Sequence, residues 1–438
     1  MNNKDERSEE EIAPSYETVV GRSKKDTRDF GTEATGYIGK HIVGSGEDAH
    51  LTTHVFLDLL RPHIILITGK RGTGKSYDAG VIAEEMALLP EEYRKNLAMV
   101  FIDTMGIFWS MKNANAQQAQ LLREWRMQPR GLENVKVYVP YKQIEEFESA
   151  KIAVDGGLTI APSEFSAEEW RLAFNLSATD AIGISIEKNV NELSASGQPF
   201  TIQDLIAKIN DDRESSEETK SALENMLTVA DQWGVFGTEG VKIDDVVAPG
   251  QITVIDVSHF RATEAWSVRN FIVAIIARKI YNRRLIARKD EELAEISGEK
   301  LDPSKRFPVV WLMIDEAHNF CPSDFETVSS APIRTISKQG REPGVSLVVM
   351  TQMPNKMHQD ILSQCDIVFA HRLTSKDDLQ ALHSVSQAYH EKDIWHYINL
   401  LPRQSGTAAI IDDNLEKIFL VQIRPRFTWH AGGTAVAL

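Results

Sequence analysis

Gly69-Lys70-Arg71-Gly72-Thr73-Gly74-Lys75-Ser76 has the composition and spacing of a loop that holds phosphate. Glycines let successive backbone N–H groups converge on anionic oxygens, and a helix opening at the end of the loop adds its positive dipole end. In that arrangement Lys75 reaches the β- and γ-phosphates of a nucleoside triphosphate, and the Ser76 hydroxyl ligates Mg²⁺. Tyr77 follows directly and belongs to the expected ATP-binding set. The side chains of Lys70 and Arg71 are expected at the solvated rim. Context separates this motif from an accidental glycine-rich turn. The apolar run HIILIT (63–68) enters it, and a helical pattern from Tyr77 to Leu88 leaves it.

A second cluster lies in VVWLMIDEAHNF (309–320). An apolar strand delivers Asp315 to its C-terminal end, where ligands bind in open α/β sheets. Asp315 is placed to hold the Mg²⁺ water shell, and Glu316 to polarise an attacking water. A DE pair alone often only caps a strand; with the phosphate loop it completes a hydrolytic site. His318 invites a DEAH-box helicase reading. About 240 residues separate Lys75 from Asp315, however, and the rest of that motif series is not evident. His318 is left as a hydrogen-bonded structural residue or a relay from the γ-phosphate. Gln352, closing the strand VSLVVMT, is either a γ-phosphate sensor or a turn residue before Pro354.

These residues need a sheet to position them. Continuous apolar runs at 63–68, 96–103, 135–140, 251–257, 307–315, 345–351 and 365–371 read as buried parallel strands, with helical patterns between several of them. The expected class is α/β, a RecA-like (ASCE) P-loop NTPase core with a mostly parallel sheet over 62–144 and 241–424. Residues 145–240 read as a helical insertion, 35–61 as a short N-terminal β element, 1–34 as a disordered charged tail, and 425–438 as a C-terminal arm. The helix containing ARKIYNRRLIARK is read as a solvated face or, less simply, a DNA track.

The chain has 438 residues, 25% charged and 42% hydrophobic, as expected of a soluble globular protein. Its net charge of −15 repels nucleic acid and anionic membranes, so any DNA contact needs a local basic lining. Lys338 and Arg334 are candidates. Two cysteines, Cys321 and Cys365, support neither a disulfide framework nor a zinc cluster. No signal-like segment and no run near ~18 apolar residues is present, which points to the cytoplasm and away from membranes.

Arg341, between Gly340 and Pro343-Gly344, precedes the strand that ends at Gln352. A parallel strand begins at the edge opposite its own nucleotide, so Arg341 is not expected to reach the phosphates of its own chain. In a ring that edge faces the neighbour's nucleotide, where a guanidinium stabilises the transferring phosphoryl group. The plainer reading is a surface arginine that satisfies the preceding helix's C-terminal carbonyls.

GKRGTGKS, ITVIDVS after APG, IDEAHNF, ISKQGREPGVSLVVMTQMPNKMHQDILSQCDIVFAHRLTSKDDLQAL and VQIRPRFTWHAGG together resemble the HerA branch of the HerA/FtsK ATPases. The resemblance covers roughly Gly36 to Gly433 and implies hexameric rings that translocate on double-stranded DNA. It also implies a nuclease partner of the NurA type, or an antiphage system with a sirtuin-like or nuclease effector. By resemblance Lys75, Ser76, Asp315 and Glu316 take the Walker roles, Gln352 the sensor and Arg341 the trans finger. Arg61 stands near a second trans arginine of the family, with a proline between it and His63. Asp103 matches a family aspartate, and Arg424 and Arg426 match a basic arm that packs against an adjacent subunit's nucleotide. A plain edge-strand role for this pair is equally open. Family members usually begin with a larger β-barrel than the short element here.

The leading expectation is a ring motor on double-stranded DNA using ATP and Mg²⁺, with a nuclease or other effector partner. A nucleotide-gated oligomeric scaffold that switches such a partner is the alternative. A monomeric small-molecule kinase is disfavoured by Arg341 and the C-terminal motif.

Overall fold

The computed structural model describes residues 17–44, 48–260, 268–373, 375–385, 391–402 and 404–432. One mixed sheet organises them. Its strands are β1 (Thr18–Val20), β2 (Thr35–Val43), β3 (His50–Asp58), β4 (Ile64–Thr68), β5 (Leu97–Asp103), β6 (Val135–Pro140) and β7 (Gly156–Leu158), then β8 (Ile252–Asp256), β9 (Val309–Ile314), β10 (Val345–Thr351), β11 (Ile367–Ala370), β12 (Thr407–Asp412) and β13 (Lys417–Ile423). They lie in the order β1-β3-β2-β13-β12-β11-β4-β10-β9-β5-β8-β6-β7.

Every neighbouring pair from β11 to β7 is parallel. This is the α/β core expected of the apolar runs, and both its faces are covered. Ile64 and Leu66 of β4 face one core with Leu312 and Leu347, together with the helix Val268–Ser297. Ile65 and Ile67 face the other, with Trp311, Met313 and the helix Lys75–Leu88. Period-2 alternation between two buried faces explains why the strands read as unbroken apolar runs.

β12, β13 and β2 extend the sheet by antiparallel pairing and join the N-terminal element directly to the core. The tail expectation is corrected here. β1 pairs with β3, and a helix follows over Lys24–Phe30. Arg22 is fully buried, with Nη2 2.6 Å from Asp58 Oδ1 and its guanidinium also donating to the carbonyls of Gly31 and Glu33. Dense charge hid a paired arginine and a two-valine edge strand. Residues 1–16 lie outside the described part.

Between β6 and β8 stand helices Ala167–Ala173, Ala181–Ser194, Ile202–Asp211 and Glu217–Asp231. Ser166 and Glu169 form a capping box at the first, and Ser216 caps the last. Trp170 and Phe236 pack on Phe271 of the long helix, so the segment shares the core of the sheet face. The short β7 breaks the expectation of an all-helical stretch. The basic helix also differs from expectation at one residue. Arg284 is buried and donates to Pro343 O and Glu291, while Arg278 pairs with Glu169.

Candidate active site

β4, β10 and β9 are adjacent and in register, so Thr68, Thr351 and Ile314 end the strands along one edge. The phosphate loop, Gln352 and Asp315 leave from that edge together. Gly74 adopts φ +127°, a conformation side-chain-bearing residues avoid, and a Cβ there would come within 3.1 Å of His371 Cε1. The helix Lys75–Leu88 opens at Gly74 with no side-chain cap, which leaves its first N–H groups free for an anion.

Lys75 is buried, and its Nζ donates to Lys70 O at 3.2 Å. Burial pushes its pKa down, while Glu316, Asp315 and Asp78 pull it back up. Lys70, Arg71 and Gly72 are exposed at the rim; Thr73, Ser76 and Tyr77 are half-buried.

Asp315 is buried, and its Oδ2 accepts from Thr104 Oγ1 at 2.9 Å. Burial and the adjacent Glu316 push its pKa up to about 6, against the pull of Thr104 and Lys75. Such a carboxylate pair beside a phosphate cradle, short of positive charge, suits a divalent cation held with Ser76. Glu316 sits in the left-handed region at φ 47°, ψ 46°, a strained position for a non-glycine residue. Its Oε1 accepts from Gln352 Nε2, and its Oε2 is buried without a hydrogen-bond partner. His318 Nδ1 lies 3.0 Å from Thr351 Oγ1 and 3.5 Å from Glu316 Oε2. Burial pushes its pKa down, as does Lys75, against the pull of Glu316. Glu316, Gln352 and His318 therefore form one connected group at the end of the loop.

A cavity of about 1010 Å³ unites Lys75, Ser76, Asp315, Glu316 and Gln352. It is also lined by Tyr77, Trp125, Gly406 and His430, together with Leu51 of the N-terminal element.

The remaining expected residues lie elsewhere. Arg341 donates to Gln364 O at 3.1 Å and stands 3.8 Å from Asp366 Oδ2, before the first residue of β10. Arg61 pairs with Asp26 at 2.9 Å and stacks over Phe30. Lys338 pairs with Asp360, and Arg334 with Glu326.

Arg424 and Arg426, expected either in an arm against an adjacent subunit's nucleotide or in a plain edge strand, are held by partners in their own chain. Both are 0% exposed within their own chain. Arg424 bonds Glu84 Oε2 at 2.6 Å and Glu85 Oε1 at 2.7 Å; Arg426 Nε lies 3.5 Å from Glu84 Oε1. Gly80 makes the close approach possible, since a Cβ there would lie 2.4 Å from Arg426 Cζ. Both guanidiniums are matched to buried carboxylates on the loop's own helix, and Arg424 also lines the cavity.

Two supports of the site, Thr104 and His371, escaped the sequence reading, and a third, Asp103, was known only as the match of a family aspartate. Thr104 bonds Asp315. Asp103 accepts from the backbone N–H groups of Met105, Gly106, Ile107 and Phe108, which fixes the turn that carries Thr104. Burial and the Asp256 and Asp315 carboxylates push the pKa of Asp103 up, and those donors oppose them. His371 Nε2 lies 2.8 Å from Asp78 Oδ2, and its Nδ1 2.9 Å from Thr407 O. That bracket ties the loop helix to β11 and β12. No sequence signal pointed to Thr104 or to the His371–Asp78 pairing, whose partners are 293 positions apart.

Residues 37–280 match the family described as "Helicase HerA, central domain". The chain is 28% identical over 188 residues to the DNA double-strand break repair helicase HerA of Pyrococcus furiosus, covering 40% of this chain and 33% of the relative. It is 22% identical over 380 residues to the probable HerA of Methanocaldococcus jannaschii, covering 77% of this chain and 68% of the relative. The chain thus spans about a third of the first relative's length. Among solved structures it is similar to VirB4 of Thermoanaerobacter pseudethanolicus, with a TM-score of 0.53 at 14% identity, covering 89% of this chain and 97% of that one. That likeness supports the RecA-like architecture alone. The chain belongs to the HerA helicase central-domain family, as a HerA-like P-loop ATPase.

Proposed function

We propose that this chain hydrolyses ATP with Mg²⁺ as a ring-forming motor on double-stranded DNA. The protomers form a homo-oligomer, by family resemblance a hexamer, acting in the cytoplasm with a nuclease of the NurA type or another effector. DNA repair and antiphage defence are the settings that reading favours. One observation carries it: of the arginines lining the cavity, Arg71 is exposed at the rim and Arg424 is tied up in buried ion pairs, and the candidate finger stands at the opposite sheet edge. Arg341 precedes β10, whose seven residues separate it from Gln352. At ~3.3 Å per residue that is roughly 20 Å, beyond the reach of one side chain. Arg424 and Arg426 are matched to Glu84 and Glu85. A neighbour's Arg341 would offset charge on the transferring phosphoryl group, an effect worth ~10³–10⁵ in rate.

Within the chain, Lys75 and the loop N–H groups orient the triphosphate. Ser76 and Asp315 would hold Mg²⁺, which would offset the negative charge of the phosphates. Glu316 accepts the proton of the attacking water, and Gln352 fixes its carboxylate.

The test mixes Lys75→Ala and Arg341→Ala proteins. Each alone is inert, and mixed rings recover part of the turnover. No recovery despite demonstrated co-assembly would remove the shared site. Duplex DNA should stimulate hydrolysis with a steep salt dependence. The scaffold alternative draws support from the pairing of Lys338 and Arg334 with carboxylates of their own chain. Hydrolysis indifferent to DNA but responsive to an effector protein would favour it.

A further inference from the structure

The cavity is lined by two chemically different groups of residues. Lys75, Asp315, Glu316 and Gln352 are the groups suited to phosphates, and Tyr77, His430 and Gly432 line the same cavity, where they are available to a base. The C-terminal arm that supplies His430 is stapled to the loop's own helix. Arg426 donates to Glu84, to Thr428 Oγ1 at 2.7 Å, and to the Tyr77 hydroxyl through its backbone N–H at 2.6 Å. The Tyr77 ring meets the His430 ring edge to face, with centroids 5.4 Å apart and planes at 79°.

His430 Nδ1 lies 3.2 Å from Arg426 Nη1. A guanidinium only donates, so Nδ1 accepts and the ring proton resides on Nε2. Burial and the Arg426 charge push the His430 pKa down to about 4, so the ring stays neutral at physiological pH. Among the described residues Nε2–H has no hydrogen-bond partner. A Cβ on Gly432 would stand 2.7 Å from that nitrogen, so the glycine leaves the donor uncovered.

We propose that His430 is the base-recognition residue of the pocket: Nε2–H donates to a ring-nitrogen acceptor of a purine, beside Tyr77. The arm thereby acts in its own chain rather than on a neighbour's nucleotide. This inference rests on reading the cavity as a nucleotide site, and the test separates the two.

Equilibrium binding is measured for ADP, for inorganic pyrophosphate and for 1-, 3- and 7-deaza-ADP, on the wild type, His430→Ala and His430→Gln. One hydrogen bond in a pocket corresponds to about 3- to 10-fold in affinity. His430→Ala should weaken ADP by that factor and leave pyrophosphate unchanged; His430→Gln, which keeps an N–H donor, should recover part of it. One deaza analogue should lose the same factor on the wild type and nothing further on His430→Ala. Equal loss of pyrophosphate and ADP on His430→Ala would make the arm merely structural and overturn the proposal. Three deaza analogues binding the wild type like ADP would overturn it as well, with the phosphate loop intact. Failure of the wild type to bind pyrophosphate and ADP would overturn the nucleotide reading and this inference together.

Discussion

Thr104 Oγ1 donates to Asp315 Oδ2 at 2.9 Å, and both atoms are buried at the ends of neighbouring parallel strands. The hydroxyl stabilises the charged form of a carboxylate that burial and Glu316 otherwise disfavour. A hydrogen bond to a charged group is worth about 1.5–3 kcal/mol. Thr104→Val should therefore lower kcat/KM for ATP by roughly 10-fold or more and raise the Mg²⁺ concentration at half-saturation. Thr104→Ser should restore most of both. A valine variant with wild-type Mg²⁺ dependence would reduce this contact to packing.

Glu316 is held at a strained backbone position, with a hydrogen bond from Gln352 on one oxygen and His318 3.5 Å from the other, which has no hydrogen bond among the described residues. A general base positioned by an amide donor fits that arrangement. Glu316→Gln should bind ATP as tightly as the wild type while turnover falls by ~10²–10⁴. Single-turnover hydrolysis read beside equilibrium binding makes the comparison. Retention of a tenth of the rate would move the base elsewhere.

Glu84 is 0% exposed and faces both Arg424 and Arg426. It also accepts from the backbone N–H groups of Phe427 and Thr428. Removing one partner of a buried pair leaves uncompensated charge and costs about 3–5 kcal/mol. Glu84→Gln should lose that much in urea unfolding and free the arm that carries His430. A change under about 1 kcal/mol would mean that water already shares those charges.

The parallel sheet was legible because strands buried on both faces leave apolar runs, as in Ile64–Thr68 and Val345–Thr351. The phosphate loop was legible because its chemistry is local in sequence. β12 and β13 were missed: their residues read without a flanking helix-and-turn signal, and an antiparallel hairpin joins them to β2 far away in the chain. The supports of the site were illegible for a related reason. His371 meets Asp78 across 293 positions, and Arg424 meets Glu84 across 340. Side chains at such separations carry no periodicity, so only the folded topology pairs them. Charge density misled at Arg22, whose partner Asp58 neutralises it inside the core.

His63 supplies a pH signature at the edge where Arg341 stands. Its Nδ1 is 2.8 Å from Asp366 Oδ2 and its Nε2 3.6 Å from Asp58 Oδ2, in full burial. Burial alone pushes the imidazole pKa down, but the two carboxylates more than reverse this and hold it at about 9. A folded-state value above the ordinary ~6.5 gives stability that is complete below pH ~6.5 and lost as pH rises through about 9, up to about 3 kcal/mol. The pKa values of Asp58 and Asp366 are held below their ordinary value, so their share is present above the usual carboxylate range and lost in acid. Urea unfolding of wild type and His63→Gln from pH 6 to 10 should therefore give curves that converge in alkali. A gap that is constant or widens with pH would mean the ring is neutral when folded. Because Asp366 Oδ2 also faces Arg341 Nη1 at 3.8 Å, a charged His63 competes with Arg341 for one carboxylate. Turnover by mixed rings should then respond to His63→Gln even where the loop and its nucleotide are untouched.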